Sequence, residues 1–253
     1  MARNPVQHVP SRQNLRNTLG LAREFGFMEF NTIDQVEWWD DFIGDTIHGG
    51  YFTATNGTGA DALAISATGI SGEATIKNGT ADDAYSGFGT GLEWYGQLNC
   101  AMAVRLKTDD IAATKIEVGF TDATDDGGAC NDLDGATFTA TDCAVWAFDT
   151  DDSTDNWKLA STPDGGTTDT VTDTSIAPVA DTYETLIVAL EDTAAHFYRL
   201  DSNGYQTYRA SHTTGPSKDV ALTPWVFTQT REGSDEKTVT VDFIRVWQRR
   251  TVS

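Results

Sequence analysis

Positive charge is what this chain of 253 residues most lacks: 17 Lys and Arg stand against 38 Asp and Glu, for a formal net charge of -21. Phosphate binding needs clustered cations, so the expectation is no nucleic-acid partner for the body of the protein. Cysteine is nearly as scarce. Cys100, Cys130 and Cys143 show no Cys-x-x-Cys spacing and no neighbouring histidine, which removes zinc ribbons and fingers. Two readings of the thiols stay open: one Cys130–Cys143 disulfide across a loop with Cys100 unpaired, or three reduced and packed side chains. No stretch approaches the roughly 20 apolar residues of a membrane span, and the first twenty residues hold no apolar signal-peptide run. The expectation is a protein made in the cytosol, with no membrane partner, which, if it acts outside, leaves by another route, such as riding in a particle.

Catalytic signatures are missing too. There is no Gly-x-Ser-x-Gly, His-Glu-x-x-His, P-loop, or Gly-x-Gly-x-x-Gly followed by an acidic residue. The four histidines, His8, His48, His196 and His212, are scattered; His196, in an expected strand, reads as a packed or half-exposed side chain. Helical periodicity is almost absent after residue 30, and no internal repeat is found.

What the chain has is short carboxylates, in the form of 28 Asp against 10 Glu, with only 6 Lys. Such a surface stays hydrated where salt screens charge heavily, which suits a halophilic host and equally an ordinary acidic secreted or virion protein. The acid is unevenly placed. Residues 1–23 hold Arg3, Arg12, Arg16 and Arg23 and no acidic residue, so residues 24–253 carry -21 - 4 = -25. The chain therefore divides into a basic N-terminal arm, 1–30, and an acidic body, 31–253. Pro5 and Pro10 favour an extended start to the arm, and "SRQNLRNTLGLAREF" makes a short helix capped by Ser11. The four arginines are the expected partner-binding residues, set either on the arm's own body or on a neighbouring subunit.

The body reads as short strands between Gly/Asp/Thr/Asn-rich loops. Strands are expected at 36–43, 62–67, 73–77, 93–106, 114–121, 144–149, 157–161, 184–191, 195–200, 205–210, 225–230 and 238–248. Asp201-Ser202-Asn203-Gly204 supplies hairpin-turn chemistry within "FYRLDSNGYQTY". "DTDDSTDN" and "TPDGGTTDTVTDT" read as solvated acidic loops. The closing run "TVTVDFIRVWQRR" is β-branched and aromatic; at period 2 it puts Val239, Val241, Phe243 and Trp247 on one side. Many short strands with turn signals throughout make an all-β, two-sheet antiparallel sandwich.

Three stretches carry a resemblance: "WWDDFIGD" at 38–45, "HFYRLDSNGYQTY" at 196–208 and "VDFIRVWQRR" at 241–250. Together they resemble the concanavalin A-like (laminin G-like) jelly roll over roughly 36–250. The closing run looks like that of laminarinase-type glycoside hydrolases, and the combination looks like the jelly-roll domains of tailed-virus virion proteins. Those hydrolases carry Glu-x-Asp-x-x-Glu, with two carboxylates about 5–5.5 Å apart for a retaining mechanism. The matching stretch here is "EVGFTD": Glu117 stands at the nucleophile position, Gly119 replaces the middle Asp, and the shorter Asp122 replaces the terminal Glu. The resemblance thus implies no catalytic dyad and no enzyme.

Calcium is the one cofactor the residues suggest. "TDATDDGGACNDLDG" at 121–135 concentrates Asp122, Asp125, Asp132 and Asp134 around glycines, as oxygen-ligand loops do, although it lacks EF-hand spacing. Trp38, Trp39, Trp146, Trp157, Trp225 and Trp247 fall within expected strands, where core packing is the usual cause, and Trp94 stands at the very start of one. Trp94, after the glycine-rich "SGFGTG", is the one expected to contact a ligand. From the residues and the resemblance together, the expected function is a non-enzymatic virion structural protein. It would be a capsid decoration or cement subunit, docking on the major capsid protein through the arm and homo-oligomeric, with a trimer favoured. The alternatives are a glycan-binding module of a turret or tail fibre that engages host sugars, and a degenerate glycoside hydrolase-like domain.

Overall fold

A computed structural model describes residues 35–250, apart from 45, 48–51, 67–71, 92, 166–168 and 234. The arm, its Ser11-capped helix and Arg3, Arg12, Arg16 and Arg23 lie outside the described residues, as do His8 and His48.

Two antiparallel sheets form the expected jelly-roll sandwich, with no α-helix among the described residues. Sheet A runs β15 (Gln206–His212), β14 (Ala194–Leu200), β13 (Glu184–Glu191), β6 (Ala101–Thr108), β17 (Thr238–Arg249), β4 (Ala74–Lys77), β3 (Asp61–Ile65). β1 (Gln35–Asp40) also pairs with β17. Sheet B runs β12 (Thr170–Asp173), β11 (Lys158–Thr162), β10 (Cys143–Asp149), β7 (Thr114–Thr121), β16 (Thr223–Thr230), β5 (Tyr85–Gly89), β2 (Thr53–Asn56). A small hairpin, β8 (Cys130–Asp132) with β9 (Thr137–Phe138), stands apart.

Alternation along the strands builds the core. Met102, Val104 and Leu106 of β6 and Leu186, Val188 and Leu190 of β13 meet Ile116, Val118 and Phe120 of β7 and Trp146 and Phe148 of β10. Trp146 packs edge-on against Trp157, Phe197 and Tyr208. Each such side chain, fully removed from water, contributes about 1.5–3 kcal/mol. At the β14–β15 turn the Asp201 carboxylate accepts from the N–H groups of Asn203 and Tyr205, both at 2.9 Å, and Gly204 takes φ +82°, as its turn chemistry predicts.

Several local expectations are corrected. The 93–106 strand is broken: Trp94 forms a lone bridge with Leu222, and a 3-10 turn at Gly96–Leu98 ends on left-handed Asn99 before β6 begins. Gly96 sits against the Asp192 carbonyl, where a Cβ would approach to 2.4 Å, so the chain must turn there. β5, "YSGFG", escaped the strand pattern because of its glycines; Gly87 lies under the Trp225 ring and Gly89 against Thr223, close approaches that only glycine permits. "TVTD", read as loop, is edge strand β12. In β17 the register shifts between Val241 and Phe243. This bulge turns Ile244 and Val246 into the main core and puts Phe243 and Trp247 on the opposite face. Trp39, expected in a core, is 59% exposed.

Candidate functional site

β7 pairs with β10 and β16 at the middle of sheet B, and its eight residues are all buried. Ile116, Val118 and Phe120 enter the core, so Lys115, Glu117 and Gly119 face the other way. This face would present the hydrolase-like motif.

Glu117 does not open onto a cleft. The loop after β7 folds back over it, and the Ala129 and Cys130 N–H groups donate to its two oxygens at 2.6 and 3.0 Å. The Lys115 ammonium lies 3.2 Å from Oε1, with both side chains 0% exposed. Lys115 also donates to the Gly127 carbonyl at 2.8 Å and to the Cys130 carbonyl. Gly128, at φ +69°, presses on the carboxylate; a Cβ there would stand 2.6 Å from Oε2. Charge and hydrogen bonds are thus satisfied within the chain, and the pair fastens the loop to the sheet. Beneath the same loop Ala129, Cys130, Leu133, Ala140, Cys143 and Val145 form a small second core.

The other two motif positions follow from the same packing. A Cβ on Gly119 would meet the Ala144 carbonyl at 2.1 Å and Val145 Cα at 2.6 Å. No carboxylate side chain fits where the hydrolases place their middle Asp. Asp122 has left the strand, and its Oδ1 accepts from the Thr141 and Asp142 N–H groups at 3.0 and 3.1 Å. It clamps the far end of the loop.

The four proposed calcium ligands do not converge. Asp132 caps its own turn through the Gly135 N–H at 2.8 Å, and exposed Asp125 accepts from the Gly128 N–H through its backbone carbonyl. Asp134 pairs with Lys158 and accepts from the Ser153 N–H, which pulls its carboxyl down to about 2. Among the described residues no group of three or more His, Cys, Asp or Glu could hold a metal ion. Excess Asp in a glycine-rich loop serves here as turn chemistry.

Trp94 is likewise reassigned. It is 5% exposed, belongs to the main core and donates from Nε1 to Thr90 Oγ1 at 3.1 Å, leaving little surface for a ligand. The thiols of Cys100, Cys130 and Cys143 are all free and buried, and burial pushes each of them up. His196 is partly exposed, its Nδ1 2.7 Å from Ser211 Oγ. His212 is buried between Ser161 Oγ at 2.8 Å and Thr172 Oγ1 at 3.1 Å, and burial lowers it to about 4.

Sequence reasoning missed two features of this face. One is Lys115; its spacing of two from Glu117 on a strand puts both on one side, the signal that could have paired them. The other is a buried aromatic stack. Trp225 stacks on Phe227 at 5.6 Å, and Phe227 on half-buried Tyr85 at 6.1 Å. The buried Trp225 Nε1 has no hydrogen-bond partner.

No protein-family model matches this chain, and no curated protein does. Solved structures do. A protein of unknown function from Shewanella oneidensis MR-1 matches with a TM-score of 0.62 at 15% identity, over 99% of this chain and 98% of that one. The CBM2 module of the evolved Dit of Lactobacillus casei BL23 phage J-1 matches at 0.55 and 11%, over 86% and 97%. A β-1,3-glucanase from Mycobacterium marinum matches at 0.55 and 11%, over 83% and 97%. Legume lectins, peanut lectin among them, match over a similar share. Identities this low establish the fold, which is that of concanavalin A-like lectins and jelly-roll glycoside hydrolases.

Proposed function

We propose that this chain is a non-enzymatic structural module of a virion, a decoration or cement subunit seated on a capsid lattice. The observation that carries the non-enzymatic half is Glu117: at the position resembling the hydrolase nucleophile, its two oxygens are held by Ala129, Cys130 and Lys115 under a closed loop. The virion half is supported by the sequence resemblance and by the shared fold of a phage Dit module. A second reading, glycan binding, draws on the fold shared with peanut lectin and other lectins.

One set of measurements separates these readings. The purified chain is mixed with particles of the virus that encodes it, stripped of this protein, and co-sedimentation is measured beside a glycan array and a reducing-sugar assay on β-glucans. Saturable co-sedimentation without array signal is expected. Saturable array binding without co-sedimentation supports the glycan module instead. Sugar release from β-glucan would overturn both.

A further inference from the structure

Sheet A buries a second apolar cluster on the face turned away from sheet B. It holds Ala101 and Ala103 of β6, Ile187 and Ala189 of β13, Tyr198 of β14 and Trp247 of β17. Register sets these in two rows. Arg209, Tyr198, Ile187, Ala103, Arg245 and Trp39 are successive cross-strand neighbours. Beside them run His196, Ala189, Ala101, Trp247 and Glu37. Three alanines and Ile187 on the two middle strands lie between Tyr198 on β14 and Trp247 on β17. The result is a trough about 14 Å from wall strand to wall strand.

This floor should be wet, because alanines on an uncovered sheet face remain accessible to solvent. Instead Ala189 is 0% exposed, Ala103 2%, Tyr198 2% and Trp247 4%. Arg209 and Arg245 lie over the Tyr198 and Trp247 rings, at 5.5 and 5.6 Å, which accounts for part of the walls. No described strand crosses the face; sheet B and the β8–β9 hairpin lie on the other side.

We infer that the trough is the docking site of the chain's own leading segment, residues 15–34. Four facts favour this occupant. The segment enters at the trough: Gln35 begins β1 at the adjoining edge, its carbonyl bonded to Arg250 Nε at 3.2 Å, and Glu37 is the register partner of Trp247. It is long enough, since β1 to β14 is four strand spacings, about 19 Å, and residues 15–34 span about 30 Å even as a helix. It is apolar where residues 1–14 are not, with Leu15, Leu19, Leu21, Phe25, Phe27 and Phe30. Its arginines, Arg16 and Arg23, come to rest on a body, residues 35–253, of charge -25 + 3 = -22. Arg3 and Arg12, ahead of the apolar stretch, are left to reach a partner. The inference is independent of whether that partner is a capsid.

Trypsin digestion of the full-length protein, followed by mass spectrometry, tests it. Cleavage after Arg12 should be fast and cleavage after Arg16 and Arg23 at least tenfold slower, at a rate that does not change with protein concentration. Ala103→Arg puts a charged chain on the trough floor and should raise cleavage at Arg16 and Arg23 at least tenfold while fragment 24–253 stays whole. If that variant is also cut inside the sandwich, the smaller change Ala189→Gln takes its place with the same expectation. Equal rates at Arg12, Arg16 and Arg23 in the unmodified protein would overturn the inference. So would protection that neither substitution moves, or protection that is lost on dilution, which would give the trough to a second copy's segment.

Discussion

Glu117 is surrounded by donors that belong to its own chain: two backbone N–H groups and the Lys115 ammonium. Replacing it with Gln keeps the shape and leaves the ammonium buried beside a neutral amide. Breaking a buried pair from one side costs about 3–5 kcal/mol. For a domain of this size Glu117→Gln should therefore lower the melting temperature by roughly 10 °C. An unchanged melt, with altered polysaccharide cleavage, would return Glu117 to catalysis. His212 makes the other residue-scale prediction. Its folded value of about 4 lies below the usual 6.5 because burial disfavours the imidazolium. Above pH 6.5 both folded and unfolded states hold it neutral and it costs nothing. As pH falls from 6.5 through 4, the unfolded state takes up the proton first, and stability declines by up to about 3 kcal/mol. Denaturant midpoints measured between pH 7 and 4 should fall less steeply in His212→Gln; a parallel fall would place the pH dependence elsewhere.

At the scale of elements, β7, β10 and the 122–142 loop act as one unit. Strand pairing brings the Ala144 carbonyl so near Gly119 that any Cβ collides with it, and Gly128 in turn lets the loop settle onto Glu117. Gly119→Ala should accordingly cost about 3 kcal/mol or more, read as a drop in the urea midpoint with little change in slope. Gly119→Asp, which restores only the middle carboxylate of the hydrolase motif, should fold worse still and cleave no β-glucan. The strands themselves were legible wherever β-branched and aromatic residues alternate, as in β7, β13 and β17. They were illegible in β5 and β12, because glycine and acidic turn-like composition hide a strand whose place is set by close backbone approach or by a neighbouring edge.

For the whole molecule, charge dominates. A net -21 repels itself across distances of about 10 Å at 0.1 M salt and only about 3 Å at 1 M. Melting temperature should climb from low to molar salt as that repulsion is screened. A flat or falling curve would mean that local pairs such as Lys158 with Asp134 and Asp152, or Arg231 with Asp149, already offset the excess.

The sequence by itself determined the antiparallel two-sheet sandwich, the Asp201–Gly204 hairpin and the departure from the hydrolase motif at two of its three positions. All three are local matters: period-2 alternation, turn chemistry over four residues, and residue identity at fixed spacing. Tertiary structure alone decided what Glu117 does, because its partners at Ala129 and Cys130 reach it only when the loop folds back across the sheet. It alone sent Trp94 into the core and scattered the four aspartates that had suggested calcium, since convergence depends on where loops end up. One bulge between Val241 and Phe243 reversed the facing of Trp247, because a single extra residue inverts every later side chain on a strand.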